Sequence, residues 1–349
     1  MTRLALVMIV RDEAARIARC LDSARPLVDD IVVLDTGSRD DTAAIARACG
    51  ARVFSFGWCD DFAAARNVAL AHSDADWNLV LDADEWLAAG AGRAMLAPLF
   101  DAAPCIGVLP ITNTFDMQGR VDSSVLWIPR LLPRGVRYTG RIHEQPDSGL
   151  PRRRVALPVQ HDGYRMEALE RKQGRNDALL RRALLDAPGN PYLLYQLGKN
   201  DEVYGAHEQA VGHYLGALEQ CGMQAYRHDL TVRTLFCLKK TARHADAVQL
   251  AEAEMAHWGE SPDFYFVLGD VLLDWASREP GRAGELLPMV EACWQRCLQL
   301  GERGELSGAV AGRGSYLAAH NLVVLYENLG MAEQATHYRP LAVRPEKGL

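Results

Sequence analysis

The stretch WNLVLDADE, residues Trp77–Glu85, decides how the rest of the chain is interpreted. Its apolar part, Asn78–Leu81, has the length of a buried strand and ends abruptly in acidic residues. In an open α/β sheet, ligands bind beyond the carboxyl ends of the strands, so Asp82 and Asp84 would face such a site. Carboxylates suit Mg2+ or Mn2+, which prefer oxygen ligands. The stretch therefore predicts a metal-assisted site at the end of this strand.

A second stretch, Asp74–Asp76, has the same Asp-Ala-Asp sequence but precedes the strand instead of following it. Its carboxylates would lie at the opposite end of the sheet, where acidic side chains are ordinarily solvated. We therefore interpret Asp74 and Asp76 as loop or helix-end charges. Position relative to the strand, and not the spelling, distinguishes the two stretches.

The composition is that of a soluble globular protein with two domains. The chain has 349 residues, of which 49% are hydrophobic and 24% charged, and this length favours two domains over one. A formal net charge of −7 argues against a duplex nucleic-acid partner, which would require a basic face. The first apolar run is too short for a signal peptide, and no later run is long enough to span a bilayer. A cytoplasmic protein is expected.

The eight cysteines are scattered along the chain and contain no C-x-x-C pair. Paired cysteines at that spacing are the usual signature of a zinc site or a redox motif, so zinc is not expected. The alternative is a set of buried thiols in a reducing cytoplasm, which we favour.

Strands and helices alternate through the first part of the chain, which predicts a mostly parallel sheet with helices on both faces. The predicted elements are the strands Leu4–Val10, Ile31–Leu34, Val53–Phe56 and Asn78–Leu81 and the helices Ala14–Ser23, Asp40–Ala48 and Phe62–Ala71. Acids follow three of the strands, at Glu13, Asp35 and Asp82 with Asp84. Any one of these acids could instead cap a helix. Acids after three strands, at the same edge of the sheet, favour a ligand-binding site.

Four blocks in this order resemble the GT-A domain of family 2 glycosyltransferases, namely VRDEAARIARCLDS, DDIVVLDTGSRDDT, WCDDFAAARN and WNLVLDADEW. The resemblance covers roughly residues 1–165 and implies a Rossmann-like nucleotide-sugar domain with a mixed, mainly parallel sheet. It implies that Asp84 contacts a metal ion, Mn2+ or Mg2+. It also implies a set of residues that contact the nucleotide sugar: Val10, Arg11, Glu13, Asp35, Arg66, Asp82 and Ala83.

Elementary chemistry agrees with these implied roles. A nucleoside diphosphate leaving group carries concentrated negative charge, which a divalent cation neutralises as the glycosidic bond breaks. Arg66 would add a fixed positive charge, although a helix-surface arginine is the alternative. The arginine-rich stretch WIPRLLPRGVRYTGRIHEQP, residues 127–146, adds Arg130 and Arg134 as candidates for acceptor or diphosphate contact.

Two later blocks, GRIHEQP and HDGY, extend the resemblance. An inverting sugar transfer needs a carboxylate that takes the acceptor proton on the face opposite the departing diphosphate. The resemblance makes Glu144 the candidate base, with His143 orienting it or contacting phosphate; a glutamate in a turn before Pro146 is the alternative. His161 ends a predicted strand, Val155–Gln160, and is a candidate metal ligand. A surface histidine is its alternative.

The sequence of the second half predicts helices throughout. Glu167–Leu185 is a predicted helix, and Pro280–Gly314 is predicted to be an irregular insert. From Tyr192 onward, Leu197 and Gly198 on one helix and Tyr214 on the next follow the tetratricopeptide pattern, in which small residues let paired helices approach. Stacked helix pairs leave a concave groove that suits a peptide. Alternatively, these helices support the catalytic domain or form a homodimer interface.

The combination of a family 2 domain (1–165) and tetratricopeptide-like helices (166–349) is similar to the sublancin-type peptide S-glycosyltransferases. Two departures are Arg11-Asp12-Glu13, where Asn-Glu is common, and Asp162, where Asn is common. The resemblance implies an inverting, metal-dependent transfer from a nucleotide sugar such as UDP-glucose to a Cys or Ser side chain of a peptide. A lipopolysaccharide core glycosyltransferase, peripheral at the inner membrane, is one alternative. A catalytically dead scaffold that binds partners is another.

Overall fold

The structure, a computed structural model, describes residues 2–117, 120–162 and 174–344. Contacts between Cα atoms divide the chain into two units, Met1–Asp186 and Ala187–Leu349. The sequence predicts a domain boundary after residue 165, whereas the boundary between the two units follows Asp186.

Most strands of the first unit belong to a single sheet. In chain order they are β1 (Leu4–Val10), β2 (Asp30–Asp35), β3 (Arg52–Ser55), β4 (Trp77–Val80), β5 (Glu85–Leu87), β6 (Ile106–Met117), β7 (Arg120–Pro133), β8 (Arg137–Thr139), β9 (Gln145–Asp147), β10 (Arg152–Arg154) and β11 (Val159–His161). The order across the sheet is β3-β2-β1-β4-β7-β6-β11-β5, with β10 also paired to β6. The strands β8 and β9 form a separate antiparallel pair.

Strand direction brings the predicted acids to one edge. β1 runs parallel to β2 and β4, and its last residue, Val10, is in register with Asp35. β7 runs antiparallel to β4, β6 antiparallel to β7, and β11 parallel to β6. The carboxyl end of β11, at His161, therefore lies at the same edge as those of β1, β2 and β4. The expected α/β class with a mixed, mainly parallel sheet is confirmed.

Several helices of the first unit pack against its strands. The helices described in this unit are α1 (Ile17–Ala24), α2 (Thr42–Ala48), α3 (Phe62–Ala71), α4 (Ala97–Phe100), preceded by a 3-10 turn at Arg93–Leu96, and α5 (Arg175–Asp186). In α1 the buried residues Ile17, Cys20, Leu21 and Ala24 recur at helical spacing. α3 begins after Asp61, whose carboxylate accepts the N–H of Ala64 and so caps the helix.

Two predicted segments differ from the structure. The expected strand Val155–Gln160 is shorter and shifted, because only Val159–His161 pairs as β11. Pro158 directly before it has no N–H to donate to a ladder, which fits a strand that begins after this residue. The expected helix Glu167–Leu185 begins outside the described residues, and its described part is α5.

The second unit is built of helices, as expected. They are α6 (Pro191–Val203), α7 (His207–Gln220), α8 (Arg227–Lys240), α9 (His244–Trp258), α10 (Pro262–Arg278), α11 (Ala283–Leu300), α12 (Tyr316–Asn328) and α13 (Ala332–Tyr338), with 3-10 turns at Pro280–Arg282 and Arg339–Ala342 and a two-residue strand, β12 (Ala309–Val310). Within the described residues, no helix combines the length and apolarity that a bilayer crossing requires.

Glycines let paired helices approach, as the repeat pattern predicts. A Cβ atom on Gly198 of α6 would lie 2.4 Å from the Tyr214 ring of α7, so only glycine fits there. Gly269 of α10 has the same relation to Trp294 of α11, where a Cβ would lie 2.6 Å from Nε1. Each pair therefore packs an aromatic ring directly on the backbone of its neighbour.

The predicted irregular insert over Pro280–Gly314 is wrong for its first half, which forms α11. The prediction rested on glycines such as Gly281 and Gly284. These two residues lie in the turn before this helix and in its first turn, where glycine is tolerated. Only the segment between α11 and α12 is largely irregular. A Cβ atom on Gly314 would lie 2.1 Å from the carbonyl oxygen of Gly301, so the two ends of that segment touch.

Candidate functional site

Two loops at the carboxyl ends of β1 and β2 are tied together by hydrogen bonds. The carbonyl of Val10 accepts from the N–H of Thr36 at 2.9 Å and from its hydroxyl at 3.0 Å. The N–H of Asp12 donates to the Ser38 hydroxyl at 3.0 Å, and the Asp12 carboxylate accepts the N–H of Arg39 at 2.7 Å. Asp12 has a φ of +55°, a conformation that aspartate tolerates better than most side chains. The two loops therefore behave as one rigid rim.

The predicted nucleoside-binding residues lie on this rim. Asp35 Oδ1 accepts the N–H of Ser38 at 2.8 Å, which fixes the carboxylate at the end of β2. The Glu13 carboxylate lies 3.5 Å from Arg16 Nη1, and Arg11 is exposed beside it. The rim thus presents acids of fixed orientation together with an exposed guanidinium.

Five charged side chains around the end of β4 form one chain of alternating ion pairs. Arg66 donates from Nε to Glu144 and from Nη2 to Asp82 Oδ1 at 2.7 Å. Arg130 donates to Asp82 Oδ2 at 2.9 Å and to Glu85. The chain runs Glu144, Arg66, Asp82, Arg130, Glu85. It connects α3, the residue after β4, strand β7, the start of β5 and the residue before β9.

Burial and pairing act against each other in this charge chain. Burial opposes ionisation of Asp82, but Arg66 and Arg130 outweigh it and hold the pKa of the carboxyl far below its usual range. Burial would lower the pKa of Arg66, yet Asp82 and Glu144 raise it well above the ordinary value. Burial raises the pKa of Glu85 despite its pairing with Arg130. Both arginines and Asp82 are therefore charged at neutral pH.

Two buried guanidinium nitrogens have no hydrogen-bond partner within the described part of the chain, namely Arg66 Nη1 and Arg130 Nε. The Tyr138 hydroxyl is also buried without a partner, and burial raises the pKa of Tyr138 to about 12. A buried donor left unsatisfied costs about 1–3 kcal/mol. Anionic oxygens that reached the two guanidinium groups would satisfy them, which fits a phosphate-binding role.

Replacing Arg130 by methionine is expected to destabilise the first unit by about 3–5 kcal/mol, because it removes the guanidinium that pairs with the buried carboxylate of Glu85. Chemical denaturation of Arg130→Met measures this. The control is Arg134→Met, since Arg134 is more than half exposed and lies 3.8 Å from Asp76 in its ion pair. Its expected effect is below about 1 kcal/mol. Equal shifts in the two variants would contradict a stabilising role for the charge chain.

Asp84 and His161 meet at the carboxyl ends of β4 and β11. His161 Nε2 lies 3.4 Å from Asp84 Oδ2, and His161 Nδ1–H donates to Asn113 Oδ1 at 2.7 Å. With the proton on Nδ1, the Nε2 lone pair faces the Asp84 carboxylate, and a cation bound by both groups would suit this arrangement. A carboxylate oxygen and an imidazole nitrogen are both ligands that Mn2+ accepts. The pair therefore fits a divalent cation.

No group of three or more His, Cys, Asp or Glu side chains among residues 2–117, 120–162 and 174–344 forms a complete metal site. Asp84 and His161 would therefore supply only part of a coordination sphere. Magnesium is commonly held by one or two carboxylates together with substrate phosphates and water. The donor set therefore fits a cation that arrives with a diphosphate.

The remaining predicted residues take three positions. Ala83 is buried between the two aspartates. His143 is exposed with a φ of +51° and lies beside Glu144 outside the charge chain. Arg134 donates to the Ala75 carbonyl at 3.0 Å, before β4, so it lies at the opposite edge from Asp82 and does not join the site.

Sequence reasoning missed two residues of the site. Glu85 directly follows the predicted Asp-Ala-Asp and is almost fully buried against Arg130. Asn113 is a buried polar residue in the otherwise apolar strand β6 and accepts the His161 N–H. A polar residue inside a predicted buried strand is the signal that could have found Asn113. Glu85 could have been found because it belongs to the acidic stretch that follows the predicted strand Asn78–Leu81.

Comparison with known proteins gives a consistent result. Residues 5–156 match the model of Glycosyl transferase family 2. The chain is 38% identical over 213 residues to a TPR repeat-containing protein of Synechococcus elongatus, covering 57% of this chain and 52% of that protein. It is 27% identical over 244 residues to the SPbeta prophage-derived glycosyltransferase SunS of Bacillus subtilis, covering 66% and 57%. The chain thus spans about half the length of these curated relatives.

Among solved structures, the chain is similar to glucosyl-3-phosphoglycerate synthase from Mycobacterium tuberculosis in complex with Mn2+ and UDP-glucose. The two share 26% identity over 32% of this chain and 44% of that one, with a TM-score of 0.27. The family match confirms the resemblance that the four sequence blocks carry. Residues 5–156 of this chain are a domain of glycosyl transferase family 2.

Proposed function

We propose that this chain is an inverting, metal-dependent glycosyltransferase that uses a UDP-linked sugar. The observation that carries the proposal is the meeting of Asp84 and His161 at the sheet edge, beside the charge chain of Arg66, Asp82 and Arg130. Within a family 2 domain, this arrangement provides partial coordination for a cation and fixed positive charge for a diphosphate. Mn2+ or Mg2+ is the proposed metal.

The rim formed by the β1 and β2 loops would hold the nucleoside. Asp35 has one oxygen fixed by backbone N–H groups, which leaves the other oriented toward a ligand hydroxyl. The loop Val10–Glu13 is held by the β2 loop and would contact the base. A metal bound at Asp84 and His161 would neutralise charge on the diphosphate as a Lewis acid. Arg66 and Arg130 would add fixed donors at the same edge.

Glu144 is the proposed base. In an inverting transfer, the acceptor heteroatom forms a bond to the anomeric carbon while the bond from that carbon to the diphosphate oxygen breaks. The electron pair of the broken bond leaves with UDP, and the acceptor proton passes to the Glu144 carboxylate. Arg66 Nε fixes one oxygen of Glu144, so the other can face an acceptor. His143 would orient the same segment.

The preferred acceptor is a Cys or Ser side chain of a peptide. Support comes from the helical second unit and from two relatives, one named as a glycosyltransferase and one as TPR repeat-containing. A homodimer interface is the competing use of these helices. All eight cysteines are free thiols, which fits a cytoplasmic location. Transfer to a lipopolysaccharide core sugar remains the enzymatic alternative, and a dead scaffold the non-enzymatic one.

The direct test is to incubate the purified chain with UDP-glucose and Mn2+ and to follow UDP release, with other nucleotide sugars in parallel. We expect slow metal-dependent hydrolysis of the donor, which EDTA abolishes. An acceptor peptide should accelerate the release of UDP. Acceleration by a lipopolysaccharide core acceptor instead would favour the enzymatic alternative. Absence of hydrolysis and transfer with every donor, together with no nucleotide binding by calorimetry, would favour the scaffold.

A further inference from the structure

We propose that Asn113 and the Arg19–Asp162 ion pair are positioning groups that fix His161 for metal binding. The inference rests on the proposed function, because it assumes that His161 is a metal ligand. Ligating histidines generally use their second ring nitrogen to bind an outer partner that fixes tautomer and ring orientation. Here Asn113 on β6 binds the ring itself, whereas Asp162, paired with Arg19 on α1, holds the backbone next to the histidine.

The first support is Asn113, in register with His161 across the β6–β11 pair. Its Nδ2 donates to the Ile111 carbonyl at 3.5 Å, which leaves Oδ1 directed at the imidazole. Oδ1 accepts the Nδ1–H of His161 at 2.7 Å, so the lone pair of a neutral ring lies on Nε2, facing Asp84. The neighbouring Thr114 hydroxyl donates to the His161 carbonyl at 3.3 Å. Both the ring and the backbone of the histidine are thereby held.

The second support is Asp162, the residue after His161. Its carboxylate accepts from Arg19 Nη2 at 2.8 Å, and its N–H donates to the Asp84 carbonyl at 3.4 Å. The Arg19 guanidinium in turn lies 3.6 Å above the Trp86 ring of β5. Asp162 therefore connects the main chains of both proposed ligands to helix α1.

The charge of Asp162 explains why Arg19 is needed. The carboxylate of Asp162 is only 13% exposed, and burying an unpaired charge is costly. Arg19 neutralises it, and Arg16 Nε lies 4.0 Å from its other oxygen.

Because Arg19 itself is 42% exposed, removal of the pair should change stability little, since partly exposed ion pairs contribute about 0–1 kcal/mol. A structural role and a positioning role therefore predict different results. The double variant Arg19→Met/Asp162→Asn removes one charge of each sign, so the net charge near the metal stays the same. The opposite signs of the two removed charges reduce the Coulomb effect on metal affinity, and thermal unfolding reports any loss of structure.

The experiment measures the Kd of Mn2+ by electron paramagnetic resonance at saturating UDP, with thermal unfolding of each variant alongside. We expect Asn113→Ala and Arg19→Met/Asp162→Asn each to weaken Mn2+ binding by about 10–100-fold, and Asn113→Asp to restore most of the loss because its carboxylate still accepts Nδ1–H. The matched control is Arg93→Met/Asp29→Asn. It removes a comparable pair, 2.9 Å apart and 36% and 38% exposed, whose Asp29 accepts the N–H of Leu4 at the opposite edge. Its Kd should equal that of the parent.

The outcomes separate this inference from the function on which it rests. If the parent binds Mn2+, His161→Ala weakens binding, and both positioning variants bind as tightly as the parent, the inference is overturned and the proposed metal site survives. If the parent does not bind Mn2+ in the presence of UDP, both this inference and the proposed metal site are excluded. Should Asn113→Ala fail to fold, the variant Arg19→Met/Asp162→Asn alone decides.

Discussion

Replacement of Asp84 by asparagine is expected to abolish metal-dependent UDP binding and to reduce sugar transfer by about a thousandfold. The amide keeps the shape of the side chain but removes the negative charge that a divalent cation requires. A metal ion acting as a Lewis acid contributes several kcal/mol of charge stabilisation, and each 1.4 kcal/mol changes a rate about tenfold. The effect should be large because only His161 would remain as a side-chain ligand of the pair.

Calorimetric titration with UDP, with and without Mn2+, measures the binding part of this prediction. The matched control is Asp76→Asn, which alters the second Asp-Ala-Asp stretch. Asp76 lies at the opposite edge of the sheet and accepts the N–H of Arg3 at 2.9 Å, so its variant should bind UDP and Mn2+ like the parent. Metal-dependent binding that persists unchanged in Asp84→Asn would remove Asp84 from the metal site.

The architecture of the first unit could be predicted because short stretches of sequence determine its strands and helices. The apolar run that forms β4 ends at Asp82, and the strand–helix alternation sets the direction of the next strands. Position relative to the strand also separated Asp84 from Asp76, although both stretches have the same spelling. The direction of the later strand, ending at His161, followed only from the family resemblance.

The partners within the site could not be predicted, because they lie far apart in the sequence. Arg130 and Glu85 are separated by 45 residues and His161 and Asn113 by 48, and neither spacing carries a local periodicity. The family resemblance also implies that Asp82 contacts the nucleotide sugar. The structure shows both of its oxygens bound by arginines, so a ribose hydroxyl would have to share lone pairs with them.

Replacement of Glu144 by glutamine should leave donor binding within a few-fold of the parent and lower turnover by about 100–10,000-fold, the usual contribution of a general base. Glutamine fills the same space and its carbonyl oxygen still accepts from Arg66 Nε, but it takes up no proton. Nucleotide affinity by calorimetry and turnover by UDP release measure the two parts. The control is Asp147→Asn, an exposed carboxylate on the following strand, β9. Intact turnover in Glu144→Gln would exclude Glu144 as the base.

The pH dependence of this defect tests the base role and the acceptor atom together. A thiol has a pKa of about 8.5, so a cysteine acceptor ionises without help as the pH rises, whereas a serine hydroxyl does not. With a cysteine peptide, the ratio of parent to Glu144→Gln turnover should therefore fall as the pH passes from 7 to about 9. With a serine peptide, the ratio should stay constant over that range. A cysteine peptide that shows no recovery would mean that Glu144 acts by a route other than removing the acceptor proton.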